Sequence, residues 1–300
     1  MKTIFVQKET LPEAFEEAIV RTWREGSEFK TEYDHEGDLA SKDVTAMIHI
    51  EDPFKEPRIH RGFPGSLEDL EIYRLEVVNG IHDYFMDDKS NPERWKYTYS
   101  QRLFDYNVTE GSYAQNSTVG ERTYKPIEKK YNQIQICIDK LKECSYTRRA
   151  QAVTWQVWND AKIDDPPCLQ RLFFRILDNK LHMNAHIRSN DSWKASFMNL
   201  WGISELQKFV ADEIGIETAS LTWIADSYHI YGSYFNELEG FLKIVGQRDF
   251  EDRTYTTDMA IPFFIDGCDK ILKESGLPDD KRELVIKRKE DLKNMMSNTL

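Results

Sequence analysis

Helical and strand periodicities alternate along this sequence, and residues that begin or end such elements separate them. Thr10-Leu-Pro-Glu13 has the form of a capping box with an early proline, which predicts a helix that ends at Gly26. The apolar residues of this stretch fall on one helical face: Leu11, Phe15, Ala18, Ile19 and Trp23. Ser66 and Gly80 are predicted to begin and end a second helix.

Alternation of inward and outward positions predicts several strands. They cover residues 44–50, 153–157, 172–177, 181–188 and 221–231. Asp178-Asn179-Lys180 joins the third of these strands to the fourth, which predicts a hairpin. Strands and helices that follow one another in this way favour the α/β (α+β) class.

The remaining segments are predicted as helices and loops. Asn132 leads an amphipathic helix, and Asn199 stands at the head of a helix that Gly215 caps. The tail from Leu277 is predicted to be a charged, peripheral helix without an apolar stripe. The polar stretch over residues 107–125 is predicted to be a loop.

Composition favours one large domain over residues 1–300. The chain is 40% hydrophobic, and no repeat or Gly/Ser linker divides it. No apolar run approaches the ~20 residues of a membrane span, so we expect a cytoplasmic protein without a membrane partner. The net charge of −12 argues against a nucleic-acid partner. Cys137, Cys144, Cys168 and Cys268 lack ligand-type spacing, so neither a metal nor a disulfide framework is expected.

The stretch Asp164-Asp-Pro-Pro-Cys168 carries the strongest chemical signal. Each proline locks its own φ, so the approach to the cysteine is fixed. Arg148, Arg149 and Arg188 could converge on the sulfur, bind an anion bidentately and favour the thiolate. The pattern predicts a nucleophilic cysteine that acts on a phosphorylated substrate. The alternative for Cys168 alone is an inert, buried thiol.

Further motifs follow in a fixed order: Arg148-Arg149, Pro166-Pro-Cys168, Arg188-Ser-Asn-Asp191, Asn199 and His229-Ile-Tyr231. This order resembles thymidylate synthase and its relatives, the pyrimidine-nucleotide hydroxymethylases. The likeness is good over about residues 95–231. It implies a large mixed central sheet flanked by helices and a homodimer formed through the sheet.

The resemblance implies a role for each nucleotide-binding residue. Cys168 would add as thiolate to C6 of the pyrimidine and make C5 nucleophilic. Arg148 and Arg149 would hold the phosphate in the other subunit's site, and Arg188 and Ser189 would hold it in their own. Without the resemblance, the arginine pair would be two solvated side chains.

The base and sugar contacts are implied in the same way. Asn199 would donate to O4 and accept from N3–H of uracil, which favours dUMP over dCMP; otherwise it caps its helix. His229 and Tyr231 lie two apart on a strand and would bind the sugar 3′-hydroxyl.

Asp191 would hold the folate pterin, and Tyr99 and Glu76 would assist proton transfers. The implied reaction converts dUMP and methylene-tetrahydrofolate into dTMP and dihydrofolate, with folate as cosubstrate.

Several departures keep other functions open. Leu169 stands where most family members have histidine, and the family's N-terminal Arg-Thr-Gly phosphate loop is missing, which leaves Lys30 or Lys42 as a replacement. The apolar C-terminal peptide that closes over folate is also absent from the sequence, and water exclusion decides between methyl and hydroxymethyl products. A hydroxymethylase acting on dUMP or on dCMP/CMP, or a non-catalytic nucleotide-binding relative, remains an alternative.

Overall fold

Strands and helices alternate along the chain. The computed structural model describes residues 1–87, 94–108, 113–118, 121–126 and 129–299. The strands are β1 (Lys2–Lys8), β2 (Ser27–Phe29), β3 (Ser41–Ile50), β4 (Ile59–His60), β5 (Tyr106–Val108), β6 (Tyr113–Thr118), β7 (Glu121–Pro126), β8 (Lys129–Tyr131), β9 (Gln151–Val153), β10 (Leu169–Leu177), β11 (Lys180–Asp191), β12 (Glu217–Ile230) and β13 (Thr254–Tyr255). The helices are α1 (Leu11–Glu25), α2 (Leu67–Asn79), α3 (Tyr99–Phe104), α4 (Gln133–Glu143), α5 (Val157–Asp160), α6 (Ser196–Ile214), α7 (Phe235–Gln247), α8 (Thr257–Leu272) and α9 (Asp279–Thr299). Within these ranges no helix is long and apolar enough to cross a membrane.

A seven-stranded mixed sheet forms the centre of the fold, in the order β1-β3-β12-β11-β10-β9 with β2 paired to β3. The pairs β1–β3 and β11–β12 are parallel, whereas β3–β12, β10–β11 and β9–β10 are antiparallel. The predicted class, a large mixed sheet flanked by helices, is therefore confirmed.

One face of the sheet is fully covered. Ile4, Ala46, Ala225, Ile187 and Leu169 are neighbours across five strands, and all of them are buried. Helix α1 packs on β1 and β3, α6 packs on β11 and β12, and α4 packs on β9 and β10. The hydrophobic core of the fold lies between this face and the helices.

The opposite face of the sheet is open to solvent. Its side chains form the adjacent row Phe5, Met47, Ile224, His186 and Arg171, one residue out of step with the buried row. Phe5 is 52% exposed and Met47 is 41% exposed. We call this surface the open sheet face.

Local signals account for many of the element boundaries. Thr10 and Ser66 both form capping boxes, and α1 and α2 end at Gly26 and Gly80 as predicted. Gly80 adopts the left-handed conformation with φ 59°, which a residue without Cβ reaches without strain. The hairpin between β10 and β11 is also confirmed: Asp178 and Asn179 have φ values of 50° and 58°, as a tight turn with two positive-φ residues requires.

Two predictions of secondary structure are wrong. The strand over residues 153–157 stops at Val153, because Asp160 accepts a hydrogen bond from the Gln156 amide at 2.6 Å and turns the chain into α5. The predicted loop over residues 107–125 contains paired strands wherever the structure describes it, since β5 pairs with β8 and β6 with β7. Residues 109–112 and 119–120 lie outside the described ranges. The hairpin strands have few apolar residues, so hydrophobic periodicity does not reveal them.

The charged C-terminal helix α9 is not peripheral, contrary to prediction. It packs on α8. Its residues Val285 and Leu292 are two turns apart, and each is at most 1% exposed. Between them the Arg288 guanidinium binds the buried Glu71 carboxylate of α2 with two hydrogen bonds of 2.7 and 3.0 Å. A stripe of two apolar residues and one paired charge is too narrow to recognise in the sequence. Whether the chain is one domain stays a prediction.

Loss of the Arg288 side chain should destabilise the fold, because the buried Glu71 carboxylate would keep, among the described residues, only Arg74 as an ion-pair partner, 3.7 Å away. We expect Arg288→Ala to lower the free energy of unfolding by about 3 kcal/mol, the usual cost of breaking a buried ion pair. Urea denaturation followed by circular dichroism measures this. Lys293→Ala on the exposed side of α9 is the matched control, and equal midpoints for the two variants would contradict the role of the pair.

Candidate active site

Cys168 lies at the start of β10, where Arg188 holds the segment that leads into it. The Arg188 backbone amide donates to the Cys168 carbonyl at 2.9 Å. The Arg188 guanidinium donates through Nη2 to the Pro166 carbonyl at 2.6 Å and through Nε to the Pro167 carbonyl at 3.1 Å. Cys168 is half-buried. Arginine and cysteine are therefore brought together, and the diproline segment has a fixed path.

The electrostatic balance at the Cys168 thiol differs from the expected one. Burial raises the pKa of this thiol, Arg188 opposes the rise, and Asp165 adds to it, so that the pKa lies above its ordinary value. Arg188 thus favours the thiolate, as expected, but it is outweighed within one chain.

A cleft of 430 Å³ opens on one side of Cys168. It is lined by Tyr73, Glu76, Val77, Arg94, Trp95, Lys96, Tyr97, Thr98, Tyr99 and Asp165; we call it the first cleft. Tyr73, Glu76 and Val77 share one face of α2 because they are three and four residues apart. Burial is the largest cause of the raised pKa values of Tyr73, Tyr97 and Tyr99. Neighbouring charges add to it, and Cys168 is among them for all three, which places the sulfur close to this cleft.

Tyr99 touches the residue after the cysteine. Its hydroxyl accepts a hydrogen bond from the Leu169 backbone amide at 3.2 Å. Burial raises the pKa of Tyr99 well above its ordinary value, so the phenol stays protonated at neutral pH. Tyr99 is therefore placed beside Cys168 as a potential proton donor.

Asn199 is positioned by a tyrosine that the sequence did not reveal. The Tyr73 hydroxyl donates to the Asn199 Oδ1 atom at 2.7 Å. Burial holds the pKa of Tyr73 well above its ordinary value, so the hydroxyl remains a donor. Asn199 lies in the first turn of α6 and does not cap it, because the helix begins at Ser196. With its oxygen engaged, the amide presents Nδ2 as a donor.

A second cleft of 580 Å³ brings together three of the predicted residues, Ser189, His229 and Tyr231. It is lined by Met1, Phe29, Lys30, Thr31, Glu32, Tyr33, Asp43, Ser189, Asp226, Ser227, His229 and Tyr231; we call it the second cleft. Lys30 is among the lining residues, whereas Lys42 donates to the Trp23 carbonyl at 2.7 Å. Of the two lysines considered for the missing phosphate loop, the geometry therefore favours Lys30.

The side chains of His229 and Tyr231 both line the second cleft, with their ring centroids 4.7 Å apart. The Ser227 hydroxyl donates to Asp43 at 2.7 Å and lies 3.0 Å from the His229 Nδ1 atom. Because that hydroxyl proton is committed to Asp43, Nδ1 must carry the hydrogen, and Nε2 is left as an acceptor. Burial lowers the pKa of His229 to about 4, so the ring is neutral at neutral pH. Nε2 is buried and has no described partner.

Three predicted residues have other surroundings. Arg148 and Arg149 are exposed in the turn between α4 and β9, and the linings of the two clefts do not include them. The Asp191 carboxylate accepts hydrogen bonds from the backbone amides of Trp193 and Lys194, each at 2.9 Å. Burial raises the pKa of this carboxyl group. The roles proposed for these three side chains stay predictions.

Glu76 lines the first cleft, and its Oε1 atom lies 2.6 Å from the Nδ1 atom of His82. Sequence reasoning missed His82, and its contact with Glu76 could not have been read from spacing alone. The role of Glu76 in proton transfer also stays a prediction.

The arrangement defines a class of site: a half-buried cysteine near two clefts, one lined by tyrosine phenols and a carboxylate, the other by a lysine and a neutral imidazole. The family model described as thymidylate synthase matches residues 4–250. The chain belongs to the thymidylate synthase family.

Archaeal relatives agree with this family. A protein of Methanococcoides burtonii is 29% identical over 238 residues, which cover 79% of this chain and 94% of the relative. One of Methanosarcina mazei is 31% identical over 210 residues, covering 70% and 82%. One of Methanocaldococcus jannaschii is 28% identical over 232 residues, covering 75% and 90%. Each is named "Putative thymidylate synthase".

Alkylation should report the charge balance at Cys168. We expect the rate at which iodoacetamide alkylates the Cys168 thiol to rise with pH. The midpoint should lie above the ordinary thiol pKa of about 8.5, because burial raises the pKa more than Arg188 lowers it. Arg188→Met should move the midpoint higher, and Arg188→Lys should move it less. Peptide mass spectrometry separates Cys168 from Cys144, an internal reference that lines neither cleft. A midpoint that Arg188→Met leaves unchanged would contradict this interpretation.

Proposed function

We propose that this protein is a thymidylate synthase, which methylates dUMP at C5 with methylene-tetrahydrofolate and releases dTMP and dihydrofolate. Membership of the family supports transfer of a one-carbon unit. The observation that carries the proposal is the position of Cys168, held by Arg188 beside the first cleft and within electrostatic range of Tyr231 in the second.

The base occupies the first cleft in this proposal. The Cys168 thiolate adds to C6, and the electron pair of the C5–C6 double bond moves toward C5 and O4. Asn199 Nδ2, held by Tyr73, donates to O4 and stabilises the charge that develops there. Glu76 and Tyr99 line the same cleft and exchange protons with the substrate.

The sugar and phosphate occupy the second cleft. The 3′-hydroxyl donates a hydrogen bond to His229 Nε2, which fits a neutral imidazole with an unused acceptor. Tyr231 lies beside it. Ser189 and Lys30 line this cleft and bind the phosphate together with Arg188. Buried polar atoms that pair only with substrate give a strong preference for a nucleotide with that hydroxyl.

A second copy of the chain supplies Arg148 and Arg149 in the proposed homodimer. The open sheet face carries Phe5 and Met47 as large exposed apolar residues, which a symmetric partner would cover. The raised pKa of the Cys168 thiol in one chain also fits a site that lacks part of its positive charge. Two arginines from a partner would bind the phosphate and complete that charge.

A hydroxymethylase acting on dCMP, CMP or dUMP is the second candidate. The contact between Tyr73 and Asn199 favours keeping it, because Nδ2 presents a donor that either uracil O4 or cytosine N3 can accept. The covalent start is the same in both reactions. They differ in whether hydride from the folate or water ends the exocyclic methylene intermediate.

Product analysis tests the proposal. We expect dUMP with methylene-tetrahydrofolate to yield dTMP, and fluoro-dUMP with the folate to form a covalent adduct at Cys168 by mass spectrometry. Cys168→Ser should form neither, while Cys144→Ser, which replaces a thiol outside both clefts, should form both. A hydroxymethyl product from dUMP, dCMP or CMP would establish the second candidate instead. No adduct and no product would indicate a non-catalytic relative.

Tyr73→Phe should weaken recognition of the base. Without the hydroxyl, the Asn199 amide loses the contact that fixes its orientation. We expect kcat/KM for dUMP to fall about tenfold, the equivalent of one hydrogen bond of about 1.4 kcal/mol. Tyr106→Phe, which removes a hydroxyl bonded to the Trp155 carbonyl outside both clefts, is the matched control. Equal kcat/KM in the two variants would contradict a positioning role for Tyr73.

A further inference from the structure

His82 connects the first cleft to the C-terminal segment of the chain. It follows the end of α2 and is 5% exposed. Its Nδ1 atom lies 2.6 Å from Glu76 Oε1, and its Nε2 atom lies 3.2 and 3.1 Å from the two carboxylate oxygens of Glu274. Both ring nitrogens therefore face carboxylates, and Glu76 is one end of an unbroken chain of three side chains.

Aromatic contacts fix the plane of the His82 ring. The ring stacks on Phe85 with centroids 4.7 Å apart and planes at 6°. The ring of Trp95, a lining residue of the first cleft, lies at 88° to the His82 ring, with the two ring centroids 5.9 Å apart. Tyr84 donates its hydroxyl to Glu274 at 3.0 Å, so the carboxylate is held as well. The geometry leaves His82 little freedom to turn away from either partner.

Glu274 comes from outside the matched family region. It follows α8 and lies beyond residues 4–250. Helix α8 packs along α2, and Lys281 of α9 donates to the Asn79 carbonyl at the end of α2, at 2.7 Å. The C-terminal segment thus places a carboxylate behind His82, on the side away from the cleft residue Glu76.

The charges around His82 favour its protonated form. Burial lowers the pKa of the ring, but the hydrogen bond and charge of Glu76 and the charge of Glu274 together raise it above the ordinary value. The next residue, Asp83, accepts a hydrogen bond from the Thr98 hydroxyl at 2.5 Å. The charge of Lys281 lowers the pKa of the Asp83 carboxyl and so opposes the effect of burial. An imidazolium donates from both nitrogens, which satisfies both carboxylates at once.

We propose that His82, paired on its far side with Glu274, is a positioning residue that holds the Glu76 carboxylate correctly oriented in the first cleft. One oxygen of Glu76 is committed to His82, which leaves Oε2 to accept or return a proton on the substrate side. His82 keeps both of its own protons throughout, so it is not a relay. This inference rests on the proposed function, in which Glu76 exchanges protons with the substrate.

The pH dependence of kcat distinguishes this role from a merely structural one. His82 carries its charge below its raised pKa and loses it as the pH rises, so the wild-type protein should lose activity on an alkaline limb. Glu274→Gln should move that limb about one pH unit toward acid, because an opposite charge beside the ring is removed, with kcat on the acid side within about twofold of wild type. Glu290→Gln, an exposed residue of α9, is the matched control and should leave the limb in place.

His82→Asn provides a second variant. The asparagine amide can still donate to Glu76 but has no charge to lose, so the limb should disappear and kcat should be about tenfold lower across the pH range. An alkaline limb that persists in His82→Asn, or that Glu274→Gln does not move in an active protein, would overturn the proposal while the proposed function stands.

A readout independent of activity completes the test. The chain has seven histidines, and the imidazole resonance that is lost in His82→Asn identifies His82 in the NMR spectrum. Its titration midpoint should lie above about 6.5 in the wild type and fall in Glu274→Gln. An unshifted midpoint would overturn the link between Glu274 and His82. A wild type without product or Cys168 adduct would instead overturn the proposed function and, with it, the role of Glu76.

Discussion

The parallel pairing of β11 with β12 is the constraint on which the rest of the site depends. Its register sets Ser189 beside Ser227 and Asp191 beside His229. Because the two strands run in the same direction, their carboxyl ends meet at one edge of the sheet and project polar side chains there together. Arg188, one residue earlier on β11, binds the Cys168 carbonyl through its backbone amide and so ties the sulfur to the same edge. A slip of one residue would reverse which of these side chains face the core.

The sequence predicts the parts of the fold that local chemistry determines. Capping boxes, the hairpin turn and the alternation along β11 depend on neighbours within a few residues, so periodicity and turn residues suffice. The parts it missed depend on distant partners. Tyr73 meets Asn199 across 126 positions, and His82 meets Glu274 across 192. Nothing in the helix around Tyr73 distinguishes it from an ordinary buried aromatic residue.

The arginines of this acidic chain differ in what their guanidinium groups bind. The net charge is −12, yet two arginines pair with carboxylates inside the fold. Arg58 pairs with the half-buried Glu205 at 2.9 Å, and Arg102 pairs with the buried Asp160 at 2.6 Å. These pairs fix helices and loops behind the clefts and make those arginines poor ligands for an anion. Arg188 differs, because its hydrogen bonds go to backbone carbonyls and leave its charge uncompensated.

The same electrostatic reasoning connects the sulfur with the surroundings of the site. Burial protects a covalent intermediate from water, but it also favours the neutral thiol, so a buried nucleophile needs nearby cations to reach its thiolate form. Glu76 has a different requirement, since a carboxylate that exchanges protons with the substrate in the proposed reaction must be held in a fixed orientation. His82 and Glu274 meet it through a set of carboxylate, imidazole and carboxylate, in which the His82 ring contacts both carboxylates. The family region supplies the first two members of this set and the C-terminal segment supplies the third, which makes that segment part of the proposed chemistry as well as of the fold.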